Sequence, residues 1–146
     1  MARNFVLATV ARYLPWFGAK NAIYRLMGLK VGKRAAFALM AMVDVVFPQL
    51  ITVGDDSVIG YNTTILCHEF LVDEWRMGPV DIGRRVMIGA NCTVLPGVSI
   101  GDEAIISAHS LVNRNVPPGA RVGGVPARPL EGDGESVNGC HCRQYR

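Results

Sequence analysis

His68 heads a polar and aromatic run, Glu69, Asp73, Glu74, Trp75 and Arg76, in a chain of 146 residues with three histidines. An imidazole can be neutral near pH 7 and still accept a proton, which suits it to general-base work. Glu69, Trp75 and Arg76 beside it could grip a small polar acceptor. On residue type alone, His68 also reads as a surface histidine. The element that holds the run decides between the two.

Aliphatic residues recur every six positions at Ile82, Ile88, Val94, Ile100, Ile106 and Val112. A second register, Val86, Cys92, Val98, Ala104, Ser110 and Val116, runs in step with it, offset by four. Six matches neither an amphipathic helix nor the two-residue alternation of a strand. It is the period of a hexapeptide solenoid, with one short strand and one turn per unit. The first register fills the middle of a triangular prism, and the second fills its corners. Gly83, Gly89 and Gly101 follow first-register residues, where a tight turn wants no Cβ or a positive φ. Upstream the beat passes through Val53, Ile59 and Ile65, and before them through Val31, Phe37 and Val43. Three units close one turn, so the chain holds roughly four parallel coils. Two interruptions shift the phase, one from Asp44 to Ile51 and one from Cys67 to Val80. The second contains His68. A solenoid gains nothing from an excursion, so a long insertion at one corner is a candidate functional loop.

The flanks are read as a cap and a tail. Residues 1–30 are apolar, but Arg3, Arg12, Lys20, Arg25 and Pro15 interrupt them. No uninterrupted run reaches the ~18 residues of a membrane span, and no small-residue cleavage site follows a secretory core. Two short helices joined near Pro15 and Trp16, stopped at Gly28, fit this stretch. They would cover the open end of the prism, and the same apolar face could instead rest on a membrane surface. Residues 31–130 form the coil, and residues 131–146 a flexible tail. Fifteen Lys and Arg against 12 Asp and Glu give a formal charge of only +3. No basic stripe with interleaved aromatics marks a nucleic-acid binder.

Cys92 occupies a corner position and is expected to be a small buried residue. Cys140, His141 and Cys142 lack the second ligand pair that a zinc site requires, so no metal is expected. The cysteine usage, with no signal peptide recognised, leads to the expectation of a cytoplasmic protein.

From Val31 to Leu130 the chain resembles the left-handed β-helix acyltransferases of the galactoside, maltose and xenobiotic acetyltransferase type. The stretches that carry this are "ITVGDDSVIGYNTTILCHEF" and "PVDIGRRVMIGANCTVLPGVSIGDEAIISAHSLVNRNVPPGARVGGVPARPL". The resemblance implies an all-β fold, a left-handed parallel β-helix of hexapeptide repeats with a short N-terminal helical cap. The left hand runs against the usual right-handed crossover and comes from the resemblance alone. It also implies acetyl-CoA as cosubstrate, and a homotrimer with active sites between subunits. His68 would then take the proton from an acceptor hydroxyl as it attacks the thioester. By similarity, the N–H of Ala90 faces the developing oxyanion. The pantetheine arm lies near Ala108, and Asn113, Arg114 and Arg128 hold the phosphates, with Arg121 near enough in sequence to help. Met87 stands where the family often has Trp and could pack on the cofactor. His109, where the family has a small residue, would be wall or surface. Asp44 matches a carboxylate that hydrogen-bonds a sugar hydroxyl, whereas Asp55 and Asp56 read as turn residues.

The acceptor class is a sugar or related small hydroxyl compound. An amino sugar acceptor, hence N-acetylation, stays open, as does a non-catalytic scaffold on the same coil. A γ-type carbonic anhydrase needs three histidines around one metal, and His68, His109 and His141 are wrongly spaced for it.

Overall fold

The computed structural model of the chain describes residues 1–130. The tail at 131–146, with Cys140, His141 and Cys142, lies outside the described residues. Two helices, α1 (Ala2–Tyr13) and α2 (Phe17–Met27), precede the coil. β1 (Lys30–Val31), β2 (Ala36–Phe37) and β3 (Met42–Val43) make the first coil. β4 (Ile51–Val53), β5 (Val58–Ile59) and β6 (Thr64–Ile65) make the second. A hairpin, β7 (His68–Phe70) and β8 (Trp75–Met77), then leaves the stack. β9 (Val80–Ile82), β10 (Met87–Ile88) and β11 (Thr93–Val94) form the third coil, and β12 (Ser99–Ile100), β13 (Ile105–Ile106) and β14 (Leu111–Val112) the fourth. A bridge at Val116, then β15 (Arg121–Gly123) and β16 (Arg128–Pro129), finish the structure.

Successive coils stack in parallel register into three walls. The first wall runs β1-β4-β9-β12 and the third β3-β6-β11-β14; the second runs β2-β5-β10-β13-β15, with β16 added antiparallel. Alternation along each two-residue strand sends one side chain inward and one outward. Phe37, Ile59, Ile88 and Ile106 therefore stack inside the second wall, and Val43, Ile65, Val94 and Val112 inside the third, all buried. Corner residues Val86, Cys92, Val98, Ala104, Ser110 and Val116 are buried as well. Buried polar corners find partners: Ser57 Oγ donates to the Gly83 carbonyl at 2.7 Å and Thr63 Oγ1 to that of Gly89 at 2.8 Å.

Of the two reasons expected for glycine at these turns, the lack of a Cβ is the one that holds. Gly83, Gly89 and Gly101 keep negative φ, and the left-handed residues are Arg85, Asn91 and Glu103, two positions later. Glycine is needed because the next coil presses on it. A Cβ on Gly89 would stand 2.5 Å from the backbone nitrogen of Ala108.

The cap closes the first coil through hydrogen bonds as well as apolar cover. Lys20 is only 1% exposed, and its Nζ donates to the carbonyls of Phe37 and Ala38, each at 3.0 Å. Burial lowers its pKa. Asn21 Nδ2 donates to the Ala35 carbonyl at 2.6 Å, and Tyr24 packs its ring on Phe37 with centroids 4.7 Å apart. Gly28, with φ of 112°, ends α2 in the left-handed conformation that glycine permits.

Candidate active site

The two interruptions meet at one corner. Val43 and Ile65 are register partners on adjacent coils of the third wall. The chain leaves that wall after each of them, so the loop starting at Asp44 and the hairpin starting at His68 emerge side by side. Asp44 folds its loop by accepting from two backbone groups, Oδ1 from Val46 N–H at 2.8 Å and Phe47 N–H at 3.0 Å. This is the local turn that a short carboxylate side chain favours. Its other oxygen, Oδ2, accepts from Cys67 N–H at 2.8 Å and from His68 Nδ1 at 2.5 Å.

That arrangement fixes the histidine. A carboxylate only accepts, so the neutral imidazole carries its proton on Nδ1 and keeps a lone pair on Nε2. The His68 side chain is 17% exposed, open enough to meet a ligand. Burial alone would raise the Asp44 carboxyl. The N–H groups of Phe47 and Cys67, the His68 ring and the N–H of Val46 together outweigh it and hold the acid below its usual value. Asp44 thus stays ionised beside the ring. The neighbouring thiol is inert: burial first, then the charge of Asp44, pushes Cys67 up to about 12.

Asp44 was expected to bind the acceptor and is placed otherwise. Its side chain has no exposed surface, and four donors occupy its oxygens, so it faces the histidine rather than a ligand.

The hairpin builds one side of the site. His68 pairs with Met77, Glu69 with Arg76 and Phe70 with Trp75 across its strands. Phe47 meets the His68 ring edge-on at 5.5 Å, and Phe70 tilts against it at 4.8 Å. Trp75 stacks on Phe70 at 6.5 Å and remains exposed. Arg76 forms an exposed ion pair with Glu74, Nη2 to Oε1 at 2.5 Å. Sequence reasoning missed Phe47 and Phe70. Their only signal was an aromatic residue in each interruption.

The remaining candidates separate into two groups. Asn113 and Arg114 follow β14 at the corner that bears His68, and share a hollow of about 120 Å³ with Arg128. Ala90 and Ala108 instead lie at the corner between the second and third walls, and Met87 points outward from the second wall. There the Ala90 carbonyl accepts from His109 N–H at 2.9 Å. Asn62 Nδ2 donates to Asn91 Oδ1 at 2.9 Å, and Asn91 Nδ2 lies 3.3 Å from His109 Nε2, so these side chains form a polar column. His68 and His109 therefore occupy different corners. Among the described residues, no group of three or more His, Cys, Asp and Glu side chains converges. Asp55 and Asp56 serve the turns as expected: Asp55 Oδ1 accepts from Lys33 N–H at 2.6 Å, and Asp56 takes a φ of 58°.

Residues 79–114 match the bacterial transferase hexapeptide family, six repeats. The chain is 55% identical over 129 residues to "Putative acetyltransferase YvoF" of Bacillus subtilis (strain 168), covering 88% of this chain and 75% of that protein. It is 36% identical over 87 residues to the galactoside O-acetyltransferase of Escherichia coli (strain K12), covering 55% and 43%. A hexapeptide-repeat-containing acetyltransferase of Vibrio cholerae, solved with acetyl coenzyme A, shares the fold at a TM-score of 0.75 and 24% identity, covering 89% of this chain and 85% of that one. A galactoside acetyltransferase in complex with coenzyme A aligns at a TM-score of 0.65 and 22% identity, covering 89% and 78%. With its parallel six-residue coils and its likeness to YvoF over three quarters of that protein, the chain belongs to the hexapeptide-repeat acetyltransferases.

Proposed function

We propose that the protein is an acetyl-CoA-dependent O-acetyltransferase acting on a hydroxyl of a sugar or related small acceptor, with His68 as general base. The observation that carries this reading is the 2.5 Å contact between His68 Nδ1 and the buried Asp44 carboxylate. It leaves Nε2 as the only proton acceptor on the ring, beside a hairpin that offers an exposed indole, Trp75, to the acceptor. Glu69 and Arg76 supply polar contacts there, and Asp44 is a positioning residue.

In the reaction, His68 Nε2 removes the acceptor hydroxyl proton while that oxygen forms a bond to the thioester carbonyl carbon. The imidazolium is stabilised by Asp44 and returns the proton to the departing thiolate as the carbon–sulfur bond breaks. A positioned base of this kind contributes about 10²–10⁴ in rate. The backbone N–H of Ala90 is the oxyanion donor in this reading, Ala108 and Met87 line the pantetheine path, and Asn113, Arg114 and Arg128 hold the phosphates.

The reading requires more than one copy, wound left-handed as in the family. His68 and the Ala90–Ala108 edge lie at different corners of one chain, so one copy's histidine must meet its neighbour's Ala90 corner. The walls support a homotrimer. Outward residues of the first wall are Lys30, Thr52, Asp81 and Ser99. Those of the second are Ala36, Val58, Met87, Ile105 and Arg121, and those of the third Met42, Thr64, Thr93 and Leu111. A mainly apolar second wall, a third that mixes Met and Leu with Thr, and a polar first wall suit a closed ring of three.

The test is His68→Ala, checked for folding and assembly, with free CoA followed over a panel of sugars. A loss of about 10²–10⁴ in kcat is expected; undiminished turnover removes His68 as the base. Hydroxylamine cleavage of the product separates an ester from the amide that an amine acceptor would give.

A further inference from the structure

The outward face of the cap exposes Phe5, Val6, Val10, Tyr13, Trp16 and Phe17, with Trp16 at 70%. On α1, Val6, Val10 and Tyr13 follow the spacing of one helix side, opposite the side that buries Ala8 and Ala11. Four of the six are aromatic. A cap facing water alone would carry charged side chains here, because a contiguous apolar patch costs solubility.

Charge is distributed with the same asymmetry. Residues 1–43 hold seven Lys and Arg and no Asp or Glu, leaving eight of the 15 basic residues beside all 12 acidic ones in the remainder. Arg3 is exposed on α1, in the same helix as Phe5, Val6 and Val10, whereas Arg25 and Lys30 line a hollow with Asp55 on the first wall. Exposed aromatics with the cation of Arg3 on the same helix, and no carboxylate on either helix, match an anionic bilayer surface, where the rings enter the headgroup level and the cation meets phosphate. Among the described residues, no helix is long and apolar enough to cross a membrane, so the fitting mode is to lie on it.

We infer that the outward face of the two N-terminal helices seats the protein on an anionic phospholipid surface. This is independent of the catalytic reading. It is tested by flotation of the full chain with vesicles of phosphatidylglycerol and phosphatidylcholine, against phosphatidylcholine alone. The anionic vesicles should retain about tenfold more protein, an excess that about 0.5 M salt removes. The double variant Phe5→Glu, Val10→Glu should lose about tenfold of that binding while releasing CoA as the parent does. In a Trp75→Phe background, Trp16 emission should move to the blue on adding the anionic vesicles, a readout that needs no disruptive change in the cap. Absent flotation, equal flotation of the double variant, or an unmoved Trp16 emission each overturns the inference. A folded double variant that sediments as a smaller species also overturns it, by assigning this face to contact between copies.

Discussion

Asp44 Oδ2 and His68 Nδ1 lie 2.5 Å apart although they are 24 positions apart in the chain, because the interruptions that carry them leave the same corner on adjacent coils. The carboxylate anchors the first loop through Val46 and Phe47 and orients the base through its second oxygen. One buried side chain thus ties the loop fold to the protonation state of the ring.

Asp44→Asn keeps the size of the side chain but brings an amide NH₂ among donors. The ring would lose its acceptor at Nδ1 and could turn its lone pair away from the substrate. A fall in kcat of about 10² or more is expected, by the logic of an orienting carboxylate. The KM for acetyl-CoA should change little, which steady-state kinetics on the folded variant would show.

The same carboxylate gives a sign to acid stability. Its folded pKa lies below the ordinary value of 3.8, so its contribution is fully present above that value and is lost as pH falls through the lower folded one. Chemical unfolding of parent and Asp44→Asn between neutral pH and pH 3 should show a stability difference that persists to about pH 4 and narrows below it. A difference already gone at about pH 5 contradicts the assignment.

Arg114 and Arg128 line one hollow with Asn113. If they hold phosphate, either Arg→Ala change should raise the KM for acetyl-CoA about tenfold, the worth of one charge-assisted hydrogen bond. The KM for acceptor should stay within about twofold. An unchanged value for acetyl-CoA would falsify the phosphate role.

Val58 is an outward apolar residue of the second wall, in register with Met87. Val58→Glu would place an unpaired charge in the proposed subunit contact. Sedimentation velocity should then show folded single chains, with kcat/KM down at least about tenfold because the two halves of each site part. An intact assembly with full turnover counts against the trimer.

Gly89→Ala tests the stacking geometry by itself. The added Cβ would press on the backbone of Ala108 in the next coil. Such overpacking costs about 1–3 kcal/mol, visible as a lower denaturant midpoint with an unchanged slope.

The six-residue beat determined the inward residues, the three walls and the place of both interruptions, while Pro15, Trp16 and Gly28 marked the two helices of the cap. In the structure, Val53, Ile59 and Ile65 return the chain to the column of Val43, which brings both interruptions, and so Asp44 and His68, to one corner. Periodicity is a one-dimensional signal of burial and carries no side-chain direction. Only the tertiary structure turned Asp44 inward toward His68, set Phe47 and Phe70 against the ring, and put the left-handed residues at Arg85, Asn91 and Glu103 while the glycines serve close packing. Those outcomes depend on where a neighbouring coil places its donors and its bulk, and no local pattern records that.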